Sequence, residues 1–503
     1  YVSMAQNLAA GGQPLELIGS NSTYFSPLLP ILIAGMSFLV PDFIISGYAV
    51  VALFGALMLV PVYLMTREFS GERAALLAAA LVAVLPLAVD YSSSIYSEGL
   101  YSFFLLMALF LGWRMLGAGG SPAGLGFAAG AGLCLGLAYL ANPAAVFYAI
   151  ALPALVLIAA VRSGGGRKMA GLAAVFLLTF AVFAVPYILF LHSELGRWTY
   201  SGKFVDVNLY GAMNNLRLET VEWDRDMLSL TEDGTQVKVM TLPNDVDLTR
   251  FIARYPGVAA KIFAKQSYVL YTDLLPRIVP LWLLPLLGLG LFGRGWDRQR
   301  AAWTGFLILM MAPALLVLSM YAHGRFFMPY LALSAVLMGA GWQQLEDWGR
   351  RTLDAGIAGP WKKPLARCLP WLIGAAVLLP TVAYAGAVAA TPSGKVAEFR
   401  EAGEWLKENA GEGKRIMSRE SPSSFYAGGI PHFLPYADYQ DMTGYARYHE
   451  IDYMVLSRQM IFDLRPQLKV LLEDDAAHPE WRLVKAIRPG TPRETLIFRL
   501  EPE

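Results

Sequence analysis

The residues best placed to do chemistry sit in short polar segments between apolar stretches. Asp90-Tyr-Ser-Ser-Ser-Ile-Tyr-Ser-Glu98 joins two such stretches and sets a carboxylate at each edge. Glu98 opens a helix, where its charge suits the positive end of the helix dipole, so a helix-starting acid is the plain explanation. The chemical explanation is a carboxylate facing a reaction cleft, as acid or base, metal ligand or hydrogen-bond acceptor for substrate. Tyr321-Ala-His-Gly-Arg325 supplies a cation. Arg325 suits either a lipid headgroup contact or a two-pronged clamp on the phosphate of a lipid-linked substrate. His323 beside it and His192 at a helix exit are candidates to assist or to hold a divalent metal ion, although no CxxC or HExxH spacing is present. The aromatics Tyr24, Phe25, Trp198, Tyr200, Tyr321, Phe326 and Phe327 read most simply as an interfacial belt. Among them Tyr24 and Tyr321 are the candidate substrate contacts.

The elements that must position these residues are membrane helices. The 503 residues are 56% hydrophobic and 16% charged, with a mean hydropathy of +0.46, which describes a polytopic α-helical membrane protein. A net charge of +1 and the lack of any Lys/Arg-rich run give no sign of a nucleic-acid partner. Cys134 and Cys368 are too few for a disulfide framework. Ten spans can be marked, at 43–65, 74–89, 99–116, 123–141, 143–161, 169–191, 276–293, 301–320, 326–342 and 369–390, the shorter ones extending into their flanks. Fourteen Lys and Arg residues, the first Arg67 and the last Arg367, fall in one set of connecting loops, whereas the opposite short loops carry Arg325 alone. The excess of positive charge marks the first set as cytoplasmic.

The first 42 residues carry two acids and no Lys or Arg. Tyr1–Ala10 has helical apolar spacing, Gly11-Gly12 stops it, and Pro27–Val40 is an apolar run too short to cross, suited to the interface. This outer loop reads as one wall of a site. Without an initiator Met or a signal-peptide core, Tyr1 reads as a cut inside a longer protein. The organisation expected is an outer loop with juxtamembrane helices over 1–42, transmembrane helices over 43–191, and an outer loop and helix over 192–275. Transmembrane helices follow over 276–390, then a small soluble α/β domain over 391–503. Within 192–275, Trp198–Leu242 is polar and strand-like and Val246–Tyr271 an amphipathic helix. In the last segment Glu398–Asn409 and Asp463–Leu472 read as helices, and Arg415–Ser418, Tyr453–Ser457, Trp481–Ile487 and Thr495–Leu500 as strands.

No Asp, Glu, Lys, Arg or His lies well inside any of the ten spans. Proton- and ion-coupled transporters place ionisable groups at mid-membrane. Here such groups gather at the outer mouth, which favours chemistry at the membrane surface. A transporter or flippase of lipid-linked saccharides is the alternative from another class, and a non-catalytic scaffold is a third.

Several segments together resemble the GT-C superfamily of integral membrane glycosyltransferases. The resemblance is to the branch of the protein O-mannosyltransferases and lipid A aminoarabinose transferases. YVSMAQNLAAGG is similar to that branch's first outer loop and TYFSPLLPILIAG to the Pro-rich stretch after it. SEGLYSFFLLMALFLGWR is similar to an acid-then-apolar helix start, GLAYLANPAAVFYAIALPALVL to a paired-helix motif, and HGRFFMPYLA to an Arg-aromatic-x-Pro motif.

The resemblance implies transfer of a sugar from a polyprenyl-phosphate-linked donor to an acceptor that is a lipid, a glycan or a protein. It implies an inverting displacement at the periplasmic face of a bacterial inner membrane, with membrane lipids as surroundings. It matches Glu98 to the branch's second acidic position; Asp90, at the other edge of that loop, is the further candidate catalytic carboxylate. A leaving phosphate needs positive charge or a metal ion near it, and Arg325 is the candidate. The branch's principal acid falls just upstream of Tyr1. Asn142-Pro143 stands where an Arg-Pro pair is common, leaving Asn142 as an uncharged candidate contact.

Overall fold

Apolar runs become helices here because a backbone in hydrocarbon must satisfy its own hydrogen bonds. The computed structural model describes residues 1–11, 23, 25–163, 166–202, 223–237, 252–313, 323–356, 362–390, 397–420, 422–473 and 478–502. Two compact units result, taken in turn.

The larger unit is helical. Its first half runs α1 Val2–Ala9, α2 Leu28–Ser37, α3 Phe43–Leu57, α4 Leu59–Val84, α5 Pro86–Ser92, α6 Glu98–Ala118, α7 Pro122–Ala141, α8 Val146–Ser163 and α9 Gly166–Leu195. Its second half holds α10 Pro256–Val269, α11 Leu284–Phe292, α12 Arg298–Met311, α13 Met328–Gly356 and α14 Lys362–Ala390. Among the described residues five stretches are long and apolar enough to cross a membrane, and Leu28–Ser37, Pro143–Ala159 and Leu281–Phe292 are shorter apolar helices. At 10 residues α2 is about 15 Å long, half a hydrocarbon core. The chain from Phe43 to Val84 is split at Gly71, whose φ of 76° and ψ of 177° only glycine adopts easily. Tyr63 reaches Glu72 at 3.5 Å across that break, so the chain doubles back.

α6 packs along α7, α7 along α9, and α13 against both α4 and α11. Glycine lets two of these pairs approach backbone to backbone. A Cβ on Gly132 of α7 would lie 2.3 Å from the Phe176 carbonyl of α9, and one on Gly341 of α13 would lie 1.8 Å from the Leu286 carbonyl of α11.

Two expectations need correction. The span at 276–293 is broken, because Val279 and Pro280 are extended (ψ 108° and 132°) and the helix restarts as α11 only at Leu284. Proline has no N–H for the helix ladder, and apolar composition alone does not report that. Within the helix expected over Val246–Tyr271, residues 252–254 are helical, Tyr255 is not, and α10 runs from Pro256 until it gives way to a π-helical turn at Leu270–Leu274.

The smaller unit holds a five-stranded sheet of order β2-β1-β3-β5-β4, with β1 Arg415–Ser418, β2 Ile430–Phe433, β3 Tyr453–Ser457, β4 Trp481–Ile487 and β5 Thr495–Leu500. β2, β1 and β3 are parallel, whereas β5 is antiparallel to both β3 and β4. Alternation sends Met417, Met454 and Phe498 into one core and Ile416, Val455 and Ile497 into another. α15 Ala397–Ala410 covers the second face with Phe399, Ala402 and Leu406. α16 Tyr439–Tyr448 covers the first, where the Trp481 indole donates to Thr443 Oγ1 at 3.0 Å.

The helix expected over Asp463–Leu472 is two pieces, Arg458–Asp463 and a 3₁₀ turn at Pro466–Leu472, separated by the non-helical Arg465. Where 198–242 is described it contains a short helix, Trp223–Leu228, and isolated bridges at Ser229, Leu230 and Val237. Asp224 on that helix accepts from Arg419 at 2.9 and 3.0 Å and also from Arg465, whose side chain is wholly buried.

Candidate active site

One corner of the helical unit brings together Glu98 and Arg325, two of the polar residues singled out in the sequence. α5 starts at Pro86, which cannot continue α4, and ends at Ser93. Its Ser92 lies against Gly55 of α3, where an added Cβ would meet Ser92 Oγ at 2.2 Å. Gly99 of α6 sits over the same glycine, 3.5 Å from its nitrogen by the same measure. These small residues pin the 93–97 turn, and α6 then opens with Glu98 in its first turn. Glu98 is 6% exposed, much more buried than a helix-starting acid needs to be.

Arg325 comes from the other half of the chain. His323 is extended, and Gly324–Phe327 forms a 3₁₀ turn ahead of α13. Gly324 faces Leu87 of α5, and Phe327 is buried. The Arg325 Nε lies 3.8 Å from Glu98 Oε1, and its guanidinium stands 4.7 Å from the Phe326 ring centroid. The distance to Glu98 makes an ion pair but not a hydrogen bond, and Nε has no hydrogen-bond acceptor among the described residues. Arg325 keeps 32% of its side chain open against 7% for Glu98, so the pair has one accessible side.

Tyr91 belongs to this corner and was not singled out from the sequence. Burial first, then the negative charges of Glu98 and Asp90, raise its phenol above the ordinary range against the opposing charge of Arg325. It is therefore a protonated hydroxyl beside the carboxylates. Tyr1 at the head of α1 closes another side. Its hydroxyl lies 3.5 Å from Ser97 Oγ, and its ring meets Phe25 edge-on at 5.1 Å.

The other candidates fall differently. Asp90 is exposed in the last turn of α5. Asn142 ends α7, and its Oδ1 accepts from the Ala144 N–H at 3.0 Å, which is work for the turn into α8. His192 stacks on Trp198 with centroids 4.0 Å apart and 6° between planes. His323 Nδ1 accepts from the Arg325 N–H at 3.4 Å. Tyr24 and Tyr321 lie outside the described residues. Among the described residues no group of three or more His, Cys, Asp and Glu side chains is placed to hold a metal ion. The positive charge beside Glu98 among the described residues is the Arg325 guanidinium.

The comparisons address the fold. Residues 25–190, about a third of the chain, match the model of the dolichyl-phosphate-mannose-protein mannosyltransferase family. No curated protein sequence matches the chain. ArnT from Cupriavidus metallidurans in the apo state aligns over 100% of this chain and 94% of its own, with 14% identity and a TM-score of 0.55. ArnT bound to undecaprenyl phosphate aligns with a TM-score of 0.53 at 14% identity over the same shares. The oligosaccharyltransferase AglB from Archaeoglobus fulgidus, in a complex with zinc and sulfate, aligns over 99% of this chain and 68% of its own, with 14% identity and a TM-score of 0.58.

This chain has the membrane fold of ArnT and AglB.

Within that fold, the Glu98–Arg325 corner lies where the helices begin and end, not in mid-helix. The likeness extends through the smaller sheet unit as well as the helices, since it takes in nearly the whole chain.

Proposed function

We propose that the chain transfers a sugar from a polyprenyl-phosphate carrier to an acceptor, at the corner held by Glu98 and Arg325. The observation that carries this is the ion pair itself. A buried carboxylate and a partly open guanidinium, from segments far apart in sequence, meet at 3.8 Å in a fold shared with a protein seen bound to undecaprenyl phosphate. In the reaction the acceptor hydroxyl attacks the anomeric carbon, the bond from that carbon to the phosphate oxygen breaks, and the lipid phosphate leaves with the electron pair. Arg325 would take the phosphate with the donors that Glu98 does not fill. Glu98, released from the guanidinium, is then the nearby carboxylate to accept the hydroxyl proton; Asp90 is the more exposed alternative. In this reading the corner faces the periplasm of a bacterial inner membrane, which the gathering of Lys and Arg in the opposite loops supports.

The test uses membranes carrying the complete gene product, supplied with radiolabelled polyprenyl-phosphate sugars. Label leaving the carrier and appearing on a lipid, glycan or protein acceptor supports transfer. Carrier that crosses the bilayer with its sugar bond intact makes the chain a flippase instead.

A further inference from the structure

The far end of the helical unit holds a second polar site. α6 starts at Glu98, and Arg114 near its other end pairs with Glu68 at 3.2 Å. At 1.5 Å per residue that is about 24 Å along the helix from Glu98. A cavity of about 260 Å³ opens beside Glu68, between α4, α11, α12 and α13. One wall is aromatic, with Phe69 and Trp303 stacked at 4.1 Å and 14°. The Gln343 and Gln344 amides offer neutral hydrogen-bonding groups from α13.

The charge balance favours an anion. Glu68 is already engaged by Arg114, and Asp297 caps α12 by accepting from the Arg300 N–H at 2.8 Å. The Arg300 guanidinium donates to the carbonyl oxygens of Arg294 and Gly290 at 2.5 and 2.8 Å. Its charge and that of Asp297 offset each other, so the positive charge left to the lining is that of Arg294. Arg294 is exposed at the rim. Just beyond, a buried Glu346 is shared between Arg73 and Arg350 at 2.9 and 2.6 Å, which adds a further positive charge. A basic pocket between membrane helices, at the end where the basic loops lie, matches the setting in which anionic lipid headgroups are held.

We propose that this cavity binds the phosphate-bearing headgroup of an anionic phospholipid from the leaflet on the basic-loop side. The site is separate from the Glu98–Arg325 corner and does not depend on sugar transfer. The test is reconstitution of the complete protein in nanodiscs of phosphatidylcholine alone or with added phosphatidylglycerol, read by thermal unfolding and by native mass spectrometry of retained lipid. Phosphatidylglycerol should be retained in preference and raise the Tm. Arg294→Gln should weaken its retention about fivefold while leaving the Tm in phosphatidylcholine unchanged. If that variant fails to fold, Gln343→Leu, which removes a neutral partner from the wall, serves in its place. Equal retention of both lipids, or retention unchanged in a folded variant, overturns the proposal. If inorganic phosphate in detergent raises the Tm as much as phosphatidylglycerol does, the lipid assignment falls and the ligand is a soluble phosphate.

Discussion

Replacing Glu98 with Gln keeps the shape of the side chain and removes the charge facing Arg325. With an effective dielectric of about 20, charges 3.8 Å apart attract by about 4 kcal/mol, and solvent on the third-exposed guanidinium screens this to about 1 kcal/mol. A carrier phosphate must overcome that attraction to take Arg325. Glu98→Gln should therefore tighten carrier binding about fivefold, seen as a lower KM. The same change removes the proton acceptor, so kcat should fall by about 10²–10⁴. The assay is single-turnover transfer from a radiolabelled carrier, at matched amounts of folded protein in membranes. The double variant with Arg325→Gln separates the two roles. If Glu98 only steadies Arg325, adding Glu98→Gln to Arg325→Gln changes nothing further. If Glu98 takes the proton, the double variant loses an additional large factor. A Glu98→Gln protein within about threefold of wild type in kcat would refute the catalytic reasoning outright.

Three other outcomes follow from the structure. Asp224→Ala leaves the wholly buried Arg465 guanidinium without its carboxylate and Arg419 with Glu420 in place of two acids, and should cost about 3–5 kcal/mol. Hydrogen exchange on the full protein should show protection of β1 and β3 reduced by about a hundredfold or more; unchanged protection contradicts the clamp. His432 is held down to about 4 by burial first and then by His449 and Arg415, so it folds neutral. Because the unfolded chain takes up the proton first, stability should fall as pH drops from about 6.5 to about 4 and stay level below that, and thermal unfolding of His432→Asn should lack part of this slope. Gly341→Ala forces a Cβ to within 1.8 Å of a backbone oxygen, whereas nothing lies within 4 Å of one on Gly288. The first should cost at least about 1–3 kcal/mol in a detergent melt and the second should stay near neutral, allowing for helix propensity.

The helices were legible because hydrocarbon demands long apolar runs and because charge collects between them. The break at Val279-Pro280 was not, since hydropathy averages over a window while the break depends on one missing N–H. In the smaller unit, β1, β3, β4 and β5 stand out as alternating runs. β2 escaped notice because Ile430–Phe433 contains Pro431, which a sheet tolerates only where, as here, the strand is at an edge. Its position next to β1 is fixed by pairing from Arg415↔Ile430 to Ser418↔Phe433, a tertiary fact with no local signature.

The candidate site divides in the same way. Glu98 and Arg325 were each recognisable as a charge out of place, one at a helix start between apolar runs and one in a set of short loops with no other Lys or Arg. That they meet is a property of packing, because it needs α5 pinned on α3 and the 324–327 turn laid on α5. Tyr91 was hidden for a related reason, since a tyrosine at a membrane interface is ordinary until a carboxylate is found beside it. The pairing also weighs the two explanations for Glu98. A helix-dipole role accounts for its place in the first turn, but such an acid is most stable where solvent reaches it. Burial to 6% costs free energy that the dipole alone does not return. The arginine brought from the other half of the chain offsets part of that cost.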